Sequence, residues 1–527
     1  MPHRGFAGEL ALVLLFGLVA VRGYFYDELD HHLPLTLEIL RGHYPPPYPF
    51  LPGAPFRYHF GFDLLSAVVT RVSGLPAWYA FDVLTVLAVW ALARLASGLA
   101  ADSGVKGAAP LAGMLVLLGG GLAWVAFPVD VLRGGLDLGD AFARPFYHLE
   151  YEPWQTPPLA GYAFQHPMAL GMPLWLALLR CWLASAGVDR WAVLAAVLLG
   201  ALGLTQSSFF YLAFPVVLGG AVLRALLGRP LAVAQAAAVL ALGALLHATG
   251  GPGGVPANGA TVALRWPPHL GWPEADFPGY LACFGVPALV ALAGAARAAR
   301  ARAEPALLFA LAGAGAFVAP HLFVFKQSPW NSAKLLVAAQ LSAALLAAPV
   351  LAAARPRALV ALLLCASIAS PLLFLWVRLL GPLGIDPALP PIAPMLLPPP
   401  AGGLERVAAA WLAARAAPGD VALAVSPHLT AFSGVPSFAP QESVTGWWDA
   451  TDPDGSARAA HARAWDALDP AELDARAIAW VLWGPSERAR AGAQARARLA
   501  DPRLFRREFA VGEAGAAVEL YRRLAPR

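Results

Sequence analysis

Gly8–His32 reads GELALVLLFGLVAVRGYFYDELDHH, an almost uncharged apolar run closed by Arg22 and followed at once by Asp27, Glu28, Asp30, His31 and His32. A bilayer core is spanned by about 20 predominantly apolar residues. This stretch is therefore expected to cross the membrane and to release a cluster of ionisable groups where it leaves. Similar runs recur at 79–99, 107–127, 167–187, 191–205, 208–227, 230–248, 279–297, 305–325, 333–353 and 357–380, with 191–205 the shortest. The composition agrees: 58% hydrophobic and 13% charged over 527 residues, against about a quarter charged in soluble domains. The expected fold class is an α-helical polytopic membrane protein with about 11 transmembrane helices.

Sidedness follows from lysine and arginine, which gather in short cytoplasmic loops. Arg4, Arg94 with Lys106, Arg190, Arg224 with Arg229, Arg297 with Arg300 and Arg302, and Arg355 with Arg357 fall on alternate loops. The opposite loops carry Asp27, Glu28, Asp30, Glu38, Asp130, Asp137, Asp140, Glu150, Glu152, Glu274 and Asp276. The alternation holds only if the apolar segment 59–73 does not span. It carries Asp63 and Arg71, is too short, and is followed by Gly74 and Pro76, which suits an interfacial helix. The N-terminus is then cytoplasmic and the C-terminus external. Val21-Arg22-Gly23 offers a poor small-residue cleavage site, so the first run is expected to remain as an anchor rather than leave as a signal peptide. Cys181, Cys283 and Cys365 each sit within an apolar run and form no pattern. The net charge of +4 reflects the inside loops; without a basic stripe interleaved with aromatics, a nucleic-acid partner is not expected.

Three segments are expected along the chain: a transmembrane domain over 1–380, a Pro-rich linker over 381–403, and a small extracytoplasmic α/β domain over 404–527. In the last, Leu404–Ala416 and Glu487–Leu499 read as helices, and Val421–Val425, Ile478–Trp483 and Val518–Tyr521 as strands. Within the first external loop, Leu29, Leu33, Leu37 and Leu40 recur at helical spacing and Gly42 stands ready to end the turn. That is expected to be a short amphipathic helix on the membrane surface. A rigid extended segment follows, His43-Tyr44-Pro45-Pro46-Pro47-Tyr48-Pro49, because each proline holds its own φ and restrains its predecessor. Phe60, Leu64, Leu65, Val68 and Val72 then form a second amphipathic piece.

Tyr26-Asp27-Glu28-Leu29-Asp30-His31-His32 is the constellation richest in chemistry. Carboxylates at a bilayer interface are costly unless solvated or paired, and three acids beside two histidines suit a general base. A solvated loop start is the plainer reading of the same residues. A divalent metal ion is the one cofactor they allow, although no His-x-x-x-His or two-His-plus-acid spacing requires it.

Here the chain resembles the GT-C superfamily of membrane glycosyltransferases, which use polyprenyl-phosphate sugars as donors. That superfamily places an acidic pair after its first transmembrane helix, in an external loop built from two interfacial helices, and Asp27-Glu28 stands at the matching place. Nearest are poorly characterised multipass bacterial members with a Pro-rich first loop, similar through Pro49-Phe50-Leu51-Pro52-Gly53, Arg57-Tyr58-His59-Phe60-Gly61 and Gln165-His166-Pro167-Met168-Ala169-Leu170. The second-loop acids are scattered here rather than set as a compact Asp-x-Asp pair, so the resemblance does not carry a metal over.

The resemblance implies a hexosyl or pentosyl transferase of a bacterial inner membrane, moving a sugar from a polyprenyl-phosphate carrier to a lipid, glycan or protein acceptor on the external face. Asp27 would be the catalytic carboxylate and Glu28 its neighbour. Transfer also needs cations to stabilise the departing lipid phosphate, and Lys326, Lys334 and Arg57 are placed for that, although a lysine at the start of a span also serves as an interfacial anchor. Asn331 can contact the sugar; Asp30 and His31 flank the acidic pair; His148 and Glu150 can line the acceptor side; His59 and His166 lie near span mouths. His321, inside an apolar run, reads as hydrogen-bonded packing. Two other classes stand beside this one: a transporter or flippase of lipid-linked glycans, and a catalytically idle scaffold that binds glycan.

Overall fold

Proline, glycine and capping acids punctuate this chain at the ends of its helices. The structure is a computed structural model and describes residues 3–22, 32–53, 56, 59–125, 159, 163, 165–229, 231–249, 262–264, 277–325, 329–380, 403–425, 428–439, 455–513 and 515–524. In chain order, α1 (His3–Arg22) is followed by α2 (Leu33–Leu40) and α3 (Gly61–Ser73). Then come α4 (Ala77–Ala101), α5 (Ala108–Leu118), α6 (His166–Ala184), α7 (Arg190–Thr205), α8 (Ser207–Leu226) and α9 (Ala232–Thr249). Strand β1 (Val262–Leu264), α10 (Phe277–Ala301), α11 (Glu304–Leu322), β2 (Phe323–Phe325), α12 (Pro329–Ala353) and α13 (Arg357–Leu380) complete this part. Prolines sit in the first turns of α6 and α11, where the missing N–H has no helical partner to lose. Asp189 caps α7 through the amides of Trp191 and Ala192; hydrogen bonds, the largest from Ala186 N–H, hold its carboxyl down at about 2.

The chain divides into two compact units, one of residues 1–23, 79–254 and 260–393, the other of residues 24–78, 255–259 and 394–527. The second thus takes in residues 24–78, which the sequence reading placed with the transmembrane domain.

Among the described residues, six helices of the first unit are long and apolar enough to cross a membrane: α4, α6, α8, Cys283–Ala301 of α10, α11, and Lys334–Ala353 of α12. Five shorter apolar helices, Leu10–Ala20, Ala108–Leu118, Arg190–Thr205, Ala232–Ala248 and Arg357–Leu372, lie at the other expected positions. Helix α12 is apolar on every side and packs against α5, α8, α10 and α11; a helix without a polar face belongs in the middle of a bundle. At the end of β2, Phe325 pairs with Val262 of β1 in a short antiparallel ladder.

Two helices break, and each break is repaired by a neighbour. Helix α5 stops at Leu118; beyond it Gly120 N donates to Ser367 O (2.8 Å) and Ser370 Oγ donates to Gly121 O (3.3 Å), both from α13. Unwound backbone at membrane depth persists only where protein satisfies it. Helix α10 kinks at Gly285 (φ 49°), where a Cβ would lie 2.9 Å from Gly121 Cα. Both the left-handed φ and the close approach require glycine there. Pro287 supplies no N–H for the carbonyl four residues earlier, Cys283 O, and Gln340 Nε2 of α12 donates to that carbonyl instead (3.0 Å). His321 is packed as expected, its Nδ1 donating to Phe317 O (2.7 Å) and its Nε2 accepting from Tyr280 Oη.

A polar knot of this unit surrounds Arg224 in the last turn of α8, a side chain 2% exposed. Its Nε donates to Glu304 Oε1 (2.6 Å), Nη1 to Ser185 O (2.9 Å) and Gln235 Oε1 (3.1 Å), and Nη2 to Leu183 O (3.0 Å). The guanidinium also lies 5.0 Å from the Trp182 ring centre. One side chain thereby ties the ends of α6 and α8 to α9 and α11.

In the second unit, α14 (Gly403–Ala413), β3 (Val421–Leu423), α15 (His428–Ser433), β4 (Ser437–Phe438), α16 (Ser456–Ala467), α17 (Pro470–Ala475), β5 (Ile478–Trp483), α18 (Pro485–Arg490), α19 (Ala493–Leu499), β6 (Phe505–Val511) and β7 (Val518–Arg523) surround one sheet of order β4-β3-β5-β7-β6. The pairs β3/β4 and β3/β5 are parallel, and β5/β7 and β6/β7 antiparallel. The helix expected over Glu487–Leu499 is two helices, α18 and α19: the chain leaves helical geometry at Ala491 (ψ 131°), and Gly492 then packs so close to α16 that a Cβ would meet Asp466 O at 2.7 Å. Glu487 is buried and accepts from Val425 N (2.9 Å) and Gly484 N (3.1 Å), joining the ends of β3 and β5. Burial pushes its carboxyl up.

First-loop residues belong to this core. Leu35, Tyr48, Phe50, Leu51, Phe56 and Phe60 pack in one apolar cluster with the sheet and its helices. Helix α2 is therefore buried over Leu33–Thr36 and at Glu38, rather than simply lying on a surface. Helix α3 ends at Gly74 in a left-handed cap (φ 73°) and shows Leu65, Val68 and Val72 outward, the face expected at an interface.

Burial also holds His461 of α16 down at about 4, from an ordinary 6.5. Between those values the unfolded chain binds a proton that the folded unit refuses, so stability is full above pH 6.5 and falls as the pH drops toward 4. The shift corresponds to roughly 3 kcal/mol. Thermal melts of the full chain from pH 7 to pH 4 are expected to show an acid-destabilised transition whose slope flattens in His461→Gln; equal slopes for the two proteins would refute the assignment.

Candidate active site

Directly after the acidic stretch the chain enters α2, and His32 at the N-terminal end of that helix faces Asp63 in the first turn of α3. His32 Nδ1 and Asp63 Oδ1 are 2.9 Å apart, and both side chains are almost wholly buried. A carboxylate out of water needs a donor, and an imidazole beside it supplies one. Asp63 also stands where the partial positive end of α3 favours an anion. The edge of the Phe62 ring closes over the imidazole, 6.1 Å between ring centres.

At the other end of α2, Glu38 is buried and accepts from His43 Nδ1 (2.6 Å) and Arg41 Nη1 (3.3 Å), both of which reach toward solvent. His59 is buried just before α3, beside Phe60 of the apolar core. Thr36 Oγ1, fully buried on α2, makes no hydrogen bond with the described residues. The first loop therefore holds several buried polar groups, Thr36, Glu38, Asp63 and Ser66 on two short helices that pack against each other, with His32 and His59 just before them. Polar burial of this density is costly for a mere connector, and ionisable groups held in dry surroundings are where acid–base chemistry is built.

Of the residues singled out from sequence, Asp27, Glu28, Asp30, His31, Arg57, His148, Glu150 and Lys326 lie outside the described residues. His59 belongs to the second unit. His166 and Lys334 belong to the first, as does Asn331, in the first turn of α12. His166 opens α6, is buried, lies tilted against Phe81 (5.0 Å between ring centres) with its Nδ1 3.3 Å from Thr85 Oγ1, and so joins α6 to α4. Lys334 is 6% exposed and points into the bundle rather than spreading along its surface. Among the described residues, no group of three His, Cys, Asp or Glu side chains is placed to hold a metal ion; the stretch on which a metal was considered lies outside them.

Asp63 and Glu38 escaped notice as site components. Each was legible only as one more acid, because the partner of Asp63 is 31 positions away. The helical spacing that puts Glu38 and Arg41 three apart was the one local signal available.

No protein-family model matches the sequence, and a search of curated proteins finds no match. Solved structures do. The crystal structure of ArnT from Cupriavidus metallidurans in the apo state matches at a TM-score of 0.54 with 15% identity, over 98% of this chain and 97% of that one. The arabinofuranosyltransferase AftD from Mycobacteria matches at 0.52 with 15% identity, over 100% of this chain and 40% of that one. At these identities the likeness speaks of fold. The chain, with two short helices after α1 and a sheet-bearing C-terminal segment, shares its fold with these two structures.

Proposed function

We propose that this protein is a membrane glycosyltransferase that moves a sugar from a polyprenyl-phosphate carrier to a hydroxyl of a lipid, glycan or protein acceptor on the external face of a bacterial inner membrane. The observation that carries the reading is the fold shared with ArnT over 98% of the chain, joined to a first loop whose acidic stretch runs into the buried His32–Asp63 pair. In this reading the apolar helices make eleven crossings, the N-terminus is cytoplasmic, and residues 404–527 form the external domain after the 381–403 linker.

The chemistry assigned to the residues is direct displacement. Asp27, with Glu28 beside it, takes the proton from the acceptor hydroxyl as its oxygen bonds to the anomeric carbon. The bond from that carbon to the phosphate oxygen breaks, its electron pair leaves with the lipid phosphate, and the anomeric configuration inverts. Arg57, Lys326 and Lys334 stabilise the phosphate. Asn331 contacts the sugar, Asp30 and His31 flank the base, and His59, His148, Glu150 and His166 line the approach.

The test is turnover of radiolabelled polyprenyl-phosphate sugars, hexose and pentose, by the purified protein in nanodiscs. Donor consumption with appearance of free polyprenyl phosphate is expected for one of the sugars. The breaks at Gly119–Gly121 and Gly285 favour a second reading, since discontinuous helices mark many transporters. Movement of the intact lipid-linked sugar between leaflets without consumption would replace the transferase reading with that one.

A further inference from the structure

The Pro-rich segment of the first loop, expected to be rigid and extended, is docked on an edge of the sheet of the C-terminal domain. Strand β4 is an edge strand of that sheet. Its neighbouring amides do not face solvent: Ser437 N donates to Pro49 O (3.0 Å) and Ala439 N donates to Phe50 O (3.3 Å). A proline-rich turn suits such a place, because it offers carbonyls to the edge amides and has few amides of its own to which another strand could pair. Tyr48, Phe50, Leu51 and Phe56 then enter the core formed by β3, β5, β7 and their helices.

Helix α2 is held from the same side. Gly434, which ends α15 with φ 67°, lies so close that a Cβ would stand 3.2 Å from Arg41 Nη2 and 3.4 Å from Leu37 Cδ1. On its other flank α2 is tied to α3 by His32 and Asp63.

We infer that the C-terminal domain is the template on which the first loop folds, with the amides of Ser437 and Ala439 acting as positioning groups for α2, the helix into which the acidic stretch runs. The domain is then a working part of the site. As far as catalysis is concerned this rests on the transferase reading; the docking itself does not. Loop and domain share one apolar core, so they open together, as a single cooperative unit.

Two measurements on the full chain in nanodiscs test this. In hydrogen exchange, Leu520→Ala, buried in β7 and remote in sequence from the loop, is expected to raise exchange in residues 33–53 and in β5 by the same factor, whereas Leu199→Ala in α7 leaves residues 33–53 as in wild type. Faster exchange of β5 alone in Leu520→Ala would overturn the inference. In the second measurement, Ala439→Pro deletes the amide that holds Phe50 O, and Ala439→Gly keeps it. The proline variant is expected to raise exchange in residues 33–53 and in β5 together, and to lower kcat about tenfold with the donor KM changed by less than about threefold, the mark of a displaced group rather than lost binding. The glycine variant restores kcat. If Ala439→Pro does not fold, Phe50→Ala weakens the same docking from the loop side and is read the same way. Unchanged exchange over 33–53 in either variant would overturn the inference. A wild type that turns over no donor would remove the transferase reading, and the exchange measurements would still decide the docking.

Discussion

Asp27→Asn is expected to lower sugar transfer by about 10³-fold, within the 10²–10⁴ that a positioned base contributes, while donor binding stays near wild type. Asparagine has the size and polarity of aspartate and cannot accept the acceptor's proton, so only the step that moves the proton should suffer. Loss in kcat with KM preserved is the signature of an interaction needed in the transition state alone. Asp27→Glu, which keeps the carboxylate and displaces it by a methylene, should fall between the two. Single-turnover assays with the donor found by the panel would measure this. Transfer by Asp27→Asn within about fivefold of wild type would remove Asp27 as the base and turn attention to Glu28 and to the His32–Asp63 pair.

Arg224→Met is expected to destabilise the helical unit by about 3–5 kcal/mol, the usual result of removing one partner of a buried ion pair. Methionine fills much of the same space, so the loss would come from groups left behind: Glu304, the carbonyls of Leu183 and Ser185 at the end of α6, and Gln235 Oε1. Arg229 Nη1 also contacts Glu304 (2.8 Å) and is largely exposed, so it offsets only part of that charge. Arg224→Lys keeps the pairing with Glu304 and loses the fork that reaches four acceptors at once, and should lie between wild type and Met. Melting in detergent, followed by size-exclusion profile, reads the order. A Met variant that melts within a degree or so of wild type would show that the knot is not holding the helices.

Much of the helical unit was legible because membrane insertion is a local matter. Apolar length within one segment decides whether it can cross, and among the described residues six of the expected runs carry helices long and apolar enough for that, while the other five carry shorter apolar helices. The stop after α2 at Gly42 and the cap of α3 at Gly74 were legible for the same reason, since a φ of 95° or 73° favours glycine whatever surrounds it. Sequence periodicity also found β5 at its full length, because six mostly buried residues in a row leave a continuous apolar signal. The split at Gly492 had one local signal, the low helical propensity of glycine, but Asp466 O, which leaves no room for a side chain there, comes from a different helix.

The site divides along the same line. That an acidic, histidine-rich stretch follows the first apolar run, and that a Pro-rich segment comes soon after, is plain from the order of residues. What the neighbouring residues meet depends on the fold. His32 is paired with an acid 31 positions on, Glu38 is sealed under His43 and Arg41, Cys283 O is served by Gln340 across 57 positions, and Pro49 and Phe50 take the amides of a strand near residue 437. Hydropathy and turn chemistry are sums over neighbours in the chain. The demand that every buried polar group find a partner is met across space, wherever the folded backbone brings a donor to an acceptor.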